Sequence, residues 1–254
     1  MSDKKSTAAR ASSKAISHGV KSQVEHALAW LERKSTKRDR ENLSRFAITT
    51  TQSFGVSMAN MRVLAKEYGR SHELAAALWD TGWYEARMLA TLVDEPERVK
   101  AAQMDRWCKD FDNWAICDTA CMHLFDRTPH AWRKIEQWRR RKPEFEKRAA
   151  FALLASVALH DKSTDQAPFT SSLKWIEEAS DDPRNFVKKS VNWALRAVGG
   201  RSAILNAAAI KLAKRLAQSQ DSTPRWIGKD ALKQLTGPAL IKRFSSRDRR
   251  LRDQ

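Results

Sequence analysis

Only 8 glycines and 7 prolines occur in 254 residues, too few to supply the turns of a β-sandwich or a β-barrel. No apolar run reaches the ~18 residues that a membrane-spanning helix needs. The opening stretch, MSDKKSTAARASSKAISHG, has no apolar block of signal-peptide length. It reads as a disordered basic tail, either on a protein of a bacterial-type cytoplasm, associated with the nucleoid, or serving as an import signal. Cysteine is sparse as well. Cys108, Cys117 and Cys121 are an odd number in a long chain, which argues against a disulfide framework. Cys117 and Cys121 share a helix face and His123 lies nearby, but a zinc or iron–sulfur site wants a fourth ligand and a tighter knuckle. Buried thiols are expected instead, with no metal and no cofactor. Walker, GxGxxG, HExxH and GxSxG signatures are all missing. The six histidines form no local pair at metal-ligand spacing.

What the chain does hold is positive charge and tryptophan. Lysine and arginine number 47 against 30 acidic residues, a net charge of +17, and there are 10 tryptophans to 2 tyrosines. A charge this far from zero exceeds what solubility requires and implies a polyanionic partner, nucleic acid or an anionic membrane surface. The basic residues are spread through many segments and not gathered in one amphipathic helix, which favours nucleic acid.

Almost every segment after residue 20 shows helical periodicity, and none shows a sustained period of two. Thr128-Pro129, Asp182-Pro183 and Thr223-Pro224 each look like an N-cap followed by proline at the first helical position. Gly199 and Gly237 sit where C-terminal caps belong. EARMLATLV (85–93), EKRAAFALLASVA (146–158) and VKKSVNWALRAVG (187–199) share a pattern: a basic residue early, then small and branched apolar residues on one face. Arg148 and Lys189 lie 41 residues apart, a spacing that fits a HEAT-like helical repeat, in which each helix pair buries its face on the next. The expected fold is all-α, a right-handed curved α-solenoid of HEAT-like repeats with a basic concave face. Arg62, Lys66 and Arg70 form one basic stripe; Arg225, Lys229 and Lys233 another; Lys211, Lys214 and Arg215 a third cluster; and RRRK (139–142) a fourth. Each alone is an ordinary solvated helix face. Together they suit a surface that follows a phosphate backbone.

The stretch DNWAICDTA (112–120) places Trp114 and Asp118 four apart, one above the other on a helix. Arg148, Trp193 and Arg196 share their character: large or charged residues on helices that are otherwise small and apolar. A helical tryptophan is commonly core and an acid there commonly pairs with an arginine, so spacing alone leaves a structural and a catalytic role open.

DNWAICDTAC, KRAAFALL and VKKSVNWALR, in this order and at these intervals, resemble the AlkD-type alkylpurine DNA glycosylases of the DNA alkylation repair family. SFGVSMANMRVLAKEYG (53–69), LWDTGWYEARMLATLV (78–93) and PRWIGKDALKQL (224–235) look like that family too. The likeness covers roughly residues 20 to 240, which sets expected boundaries: a basic tail over 1–20, a HEAT-like glycosylase domain over 21–240 and a mobile basic tail over 241–254. The resemblance implies that Asp118 is the catalytic carboxylate, that Trp114 and Trp193 wall the lesion nucleotide and that Arg148 holds the site and a backbone phosphate. It implies a backbone-contacting role for Arg196, and DNA contacts are expected also at Lys188, Lys189, Arg201 and Lys229. The expected partner is double-stranded DNA containing N3- or N7-alkylated purines, bound by a monomer. Two rivals remain: a non-catalytic binder of DNA structure on the same fold, since some relatives act that way, and a helical-repeat adaptor for proteins.

Overall fold

A computed structural model describes the backbone of residues 2–252 and the side chains of residues 18–246. Among the described residues the chain is entirely helical, with no strand. It divides into two compact units, Met1–Val99 and Lys100–Gln254. No described helix is long and apolar enough to cross a membrane. The expected tails, 1–20 and 241–254, fall largely where side chains lie outside those described; the backbone of the first helix is continuous from Ser2 to Arg33.

The first unit holds α1 (Ser2–Arg33), α2 (Lys37–Arg45), α3 (Met58–Tyr68), α4 (His72–Asp80) and α5 (Tyr84–Val93). Thr36, Ser57 and Ser71 cap α2, α3 and α4, each side chain accepting from a backbone N–H three residues on. The link between α2 and α3 is held by one acid. The fully buried Glu85 carboxylate of α5 accepts from the backbone N–H groups of Phe54, Gly55 and Val56 at 2.9, 2.7 and 3.2 Å. Three donors satisfy a buried polar group that would otherwise be costly. Arg62, Lys66 and Arg70 are exposed, as the stripe suggested, and Arg70 also donates to the Asp94 carbonyl at 2.5 Å.

The second unit holds α6 (Ala101–Lys109), α7 (Trp114–His123), a 3₁₀ turn at Phe125–Arg127, α8 (Ala131–Trp138), α9 (Glu144–His160), α10 (Ala167–Glu178), α11 (Asn185–Gly199), α12 (Ala203–Ala217), α13 (Ser222–Leu235) and α14 (Pro238–Arg252). Helix α9 is the centre. Its residues from Arg148 to Ala158 are buried without a break, because α7, α8 and α11 all pack on it. Helix α11 packs in turn on α13. The α11–α13 pair is in strict register: Asn192 meets Asp230 and Arg196 meets Gln234, each pair 38 residues apart. Two helices meeting at a constant offset run parallel, as successive units of a helical repeat do.

Helix starts differ from the cap-plus-proline expectation. Thr128 closes the 3₁₀ turn by donating to the Phe125 carbonyl at 2.8 Å, and α8 begins only at Ala131. The Asp182 carboxylate is taken by the Arg184 backbone N–H and guanidinium, and α11 begins at Asn185. Thr223 and Pro224 lie inside the first turn of α13. In the first two places the side-chain oxygen that would cap a helix is spent on the turn ahead of it. The glycine expectation also changes. Positive φ occurs at Gly55, Gly69 and Gly82, not at Gly199 or Gly237. Gly199 is needed for packing: a Cβ there would come within 2.5 Å of Leu235 and 2.6 Å of Ala209. Gly228 is tighter still, since its Cβ would meet the Ala217 backbone nitrogen at 2.3 Å, so α12 and α13 touch backbone to backbone.

Candidate functional site

Asn113 starts α7. Its side-chain oxygen accepts from the N–H groups of Ala115 and Ile116 at 3.0 and 3.1 Å, a side-chain cap that makes Trp114 the first helical residue. The phase of the helix is thereby set. Ala115, Ile116, Cys117, Thr119, Ala120 and Cys121 are buried, whereas Trp114, Asp118 and Met122 are half-buried along one stripe. The thiols Cys108, Cys117 and Cys121 are free and buried, as expected, and burial pushes the Cys108 thiol far up.

Arg148 comes from the first turns of α9. Its Nε donates to Asp118 Oδ1 at 2.9 Å and its Nη2 to Oδ2 at 2.6 Å, a bidentate pair. Its Nη1 donates to the Phe186 carbonyl at 2.7 Å. The Arg148 side chain is 7% exposed and that of Asp118 19%, so Asp118 is the more exposed partner of the pair. Burial pushes the Asp118 carboxyl above its ordinary value, and the charge and hydrogen bonds of Arg148 pull against that. Burial also works against the Arg148 cation, but Asp118 outweighs it and the guanidinium is raised. Both carboxylate oxygens accept from the Arg148 guanidinium, which favours the charged form. The result is a carboxylate more basic than usual, with a guanidinium beside it that favours its charge.

Phe186 is a residue that motif reading missed. Its N–H donates to Glu144 Oε1 at 3.1 Å, its carbonyl accepts from Arg148, and its ring lies 5.2 Å from that of Phe145. The start of α11 is therefore gripped on both backbone polar groups by α9. Two turns on, Trp193 is half-buried on the outer face of α11 with exposed Lys189 one turn before it and half-buried Arg196 after it. Since α9 packs on both α7 and α11, Trp114 and Trp193 stand on two of the helices packed against the one that carries Arg148. Asn113 could have been found from the DN that precedes an apolar helix. Phe186 had no signal, because its role uses the backbone.

The expected DNA-contacting residues divide. Lys189 and Lys229 are exposed. Lys188 sits with its ammonium 5.2 Å from the centre of the Trp226 ring. Arg196 donates to Gln234 Oε1 at 2.9 Å and to its own helix at the Asn192 carbonyl. Arg201 stands apart: its guanidinium donates to the carbonyls of Ala158, Asp161 and Ser163 and lies over the Phe169 ring, tying the α9–α10 connection to the end of α11. The RRRK cluster divides too: Arg139 is spent on Glu178 and Arg141 on Asp105 and Glu146, whereas Arg140 pairs with Glu136 at the surface and Lys142 is exposed. The tryptophans divide as well. Trp79, Trp107 and Trp138 are fully buried core, whereas Trp226 is exposed.

The fold and this ion pair define a helical-repeat protein with a tethered carboxylate at the edge of a tryptophan-bearing face. The chain matches the family model described as DNA alkylation repair enzyme over residues 27–235, and it belongs to that family. A solved structure described as "a new family of proteins related to the HEAT-like repeat DNA glycosylases with affinity for branched DNA structures" aligns with a TM-score of 0.71 at 18% identity, covering 83% of this chain and 95% of that one. At that identity the likeness establishes the HEAT-like fold. No curated protein matches the chain.

Proposed function

We propose that this protein is a DNA N-glycosylase that hydrolyses the glycosidic bond of N3- or N7-alkylated purines in duplex DNA. The observation that carries the reading is the Asp118–Arg148 pair: a carboxylate held by two hydrogen bonds from a guanidinium and still partly exposed, with Trp114 one turn before it on the same stripe. Family membership supports repair of alkylated DNA, and the net charge of +17 supports a polyanionic substrate.

The chemistry asks little else. An N3- or N7-alkylated purine is already cationic. When the C1′–N bond breaks, its electron pair passes to the base, which leaves neutral, and positive charge develops on the sugar. The Asp118 carboxylate stabilises that charge electrostatically, as carboxylates do at oxocarbenium-like centres. Water adds its oxygen to C1′ and gives up a proton, for which the raised basicity of Asp118 suits it as acceptor. Trp114 and Trp193 offer π-faces to the cationic nucleotide. No general acid for the leaving base is required. The test is to incubate the purified protein with methylated duplex DNA and look for free 3-methyladenine or 7-methylguanine by chromatography.

A second reading is favoured by one observation. The structural neighbour is described as having affinity for branched DNA, and a bidentate arginine–aspartate pair is also a common structural tie. On that reading Asp118 organises α7 against α9 and the protein binds DNA without cutting it. Binding without base release would select it.

A further inference from the structure

Helix α13 turns Pro224, Ile227, Gly228, Ala231 and Leu235 inward. That phase puts Trp226 on the outside, where it remains 39% exposed, one of the few large hydrophobic side chains left so. An exposed indole at a position the core does not use calls for another explanation. Its surroundings supply one. The Lys188 ammonium of α11 lies 5.2 Å from the ring centre, Lys229 and Lys233 follow on the same side of α13, and both are exposed. The Lys188–Trp226 contact is the first rung of the α11–α13 register, ahead of Asn192–Asp230 and Arg196–Gln234 at the same 38-residue offset. Lys189 and Trp193 occupy the outer face of the adjoining helix. An aromatic flanked by cations is thus repeated on two neighbouring helices of one surface.

We propose that Trp226 and Lys188 form a second contact point for the sugar–phosphate backbone of duplex DNA, one repeat beyond the helix that carries Trp193. The indole packs against a deoxyribose and Lys188, already held over the ring, meets the adjoining phosphate. The cation–π contact pre-orders a lysine that would otherwise lose rotamer freedom on binding. The proposal rests on the reading that DNA lies along this face, but it does not require that a base be excised.

The test measures binding of a short undamaged duplex by fluorescence anisotropy over a range of salt, with the full-length protein. Trp226→Ala is expected to weaken binding about five- to tenfold and Trp226→Phe by no more than about twofold, since a ring face remains. Lys188→Gln is expected to reduce the slope of log affinity against log salt by about 0.9; this partly exposed position keeps the proposal testable if Trp226→Ala fails to fold by circular dichroism. Trp226→Ala binding duplex within about twofold of the wild type, or an unchanged salt slope in Lys188→Gln, would overturn the proposal. A loss confined to single-stranded or branched DNA would overturn it too, because the ring would then stack on unpaired bases. The outcomes separate from those of the glycosylase reading. If the wild type binds duplex but releases no base, that reading fails while these losses still stand. If it releases base and Trp226→Ala binds normally, this inference fails alone.

Discussion

Replacing Asp118 by asparagine removes one charge and keeps the shape, and the structure sets the size of the effect. In the wild type the Arg148 guanidinium sits directly behind the carboxylate, 2.6 and 2.9 Å from its two oxygens. At an effective dielectric of about 20, a cationic sugar ~4 Å in front of Asp118 gains about 4 kcal/mol from the anion and loses about 2 kcal/mol to a guanidinium ~7 Å away, leaving about 2 kcal/mol net. The Asp118→Asn variant loses the attraction and keeps the repulsion. Its barrier therefore rises by the full anion contribution, about 4 kcal/mol or on the order of 10³-fold in rate. The side-chain oxygen of asparagine can still accept one of the Arg148 hydrogen bonds, so α7 should stay docked on α9. The assay is single-turnover release of 7-methylguanine at saturating protein, with duplex affinity measured in parallel. Release at a rate within about tenfold of the wild type, with affinity intact, would refute the electrostatic account, because ~1.4 kcal/mol is too little for a carboxylate facing the sugar.

Three further outcomes follow from the same geometry. Arg148→Ala strips both hydrogen bonds from Asp118 and one from the Phe186 carbonyl; leaving a largely buried carboxylate unpaired is expected to cost about 3 kcal/mol, read from the urea midpoint. If excision needs the Asp118 anion, the single-turnover rate is expected to fall as pH drops through its folded pKa, which burial places above the ordinary carboxylate value; a profile flat down to about pH 4 would contradict this. Asp182 has the opposite sign. Its hydrogen bonds to Arg184, then Lys147, hold its carboxyl well below the usual range. Its contribution to stability is therefore complete above the unfolded value near pH 4 and is lost as pH falls through the folded one. Asp182→Ala is expected to cost about 1–2 kcal/mol at pH 7 by denaturant titration, moderated because Arg184 remains about a third exposed, and to cost less in acid.

Periodicity and composition by themselves determined that the chain is helical, repetitive and basic, because a 3.6-residue pattern and a net charge are local, additive properties of the residues. The same holds for the Trp114–Asp118 stripe, which needs only one helix, and for the buried thiols between its turns. Asn113 was within reach for the same reason. The starts of α8 and α11 were misplaced because Thr128 and Asp182 had two possible uses for one oxygen, and the turns ahead of those helices took it. What only the tertiary structure decided was partnership between distant elements: that Arg148 lies behind Asp118, that Phe186 is gripped through its backbone, and that Arg139, Arg141 and Arg201 are spent on internal acids and carbonyls while Lys189 and Lys229 stay exposed. Equal charges in a sequence become unequal once folded, since each cation's role depends on which acceptors from other helices come within about 3 Å of it.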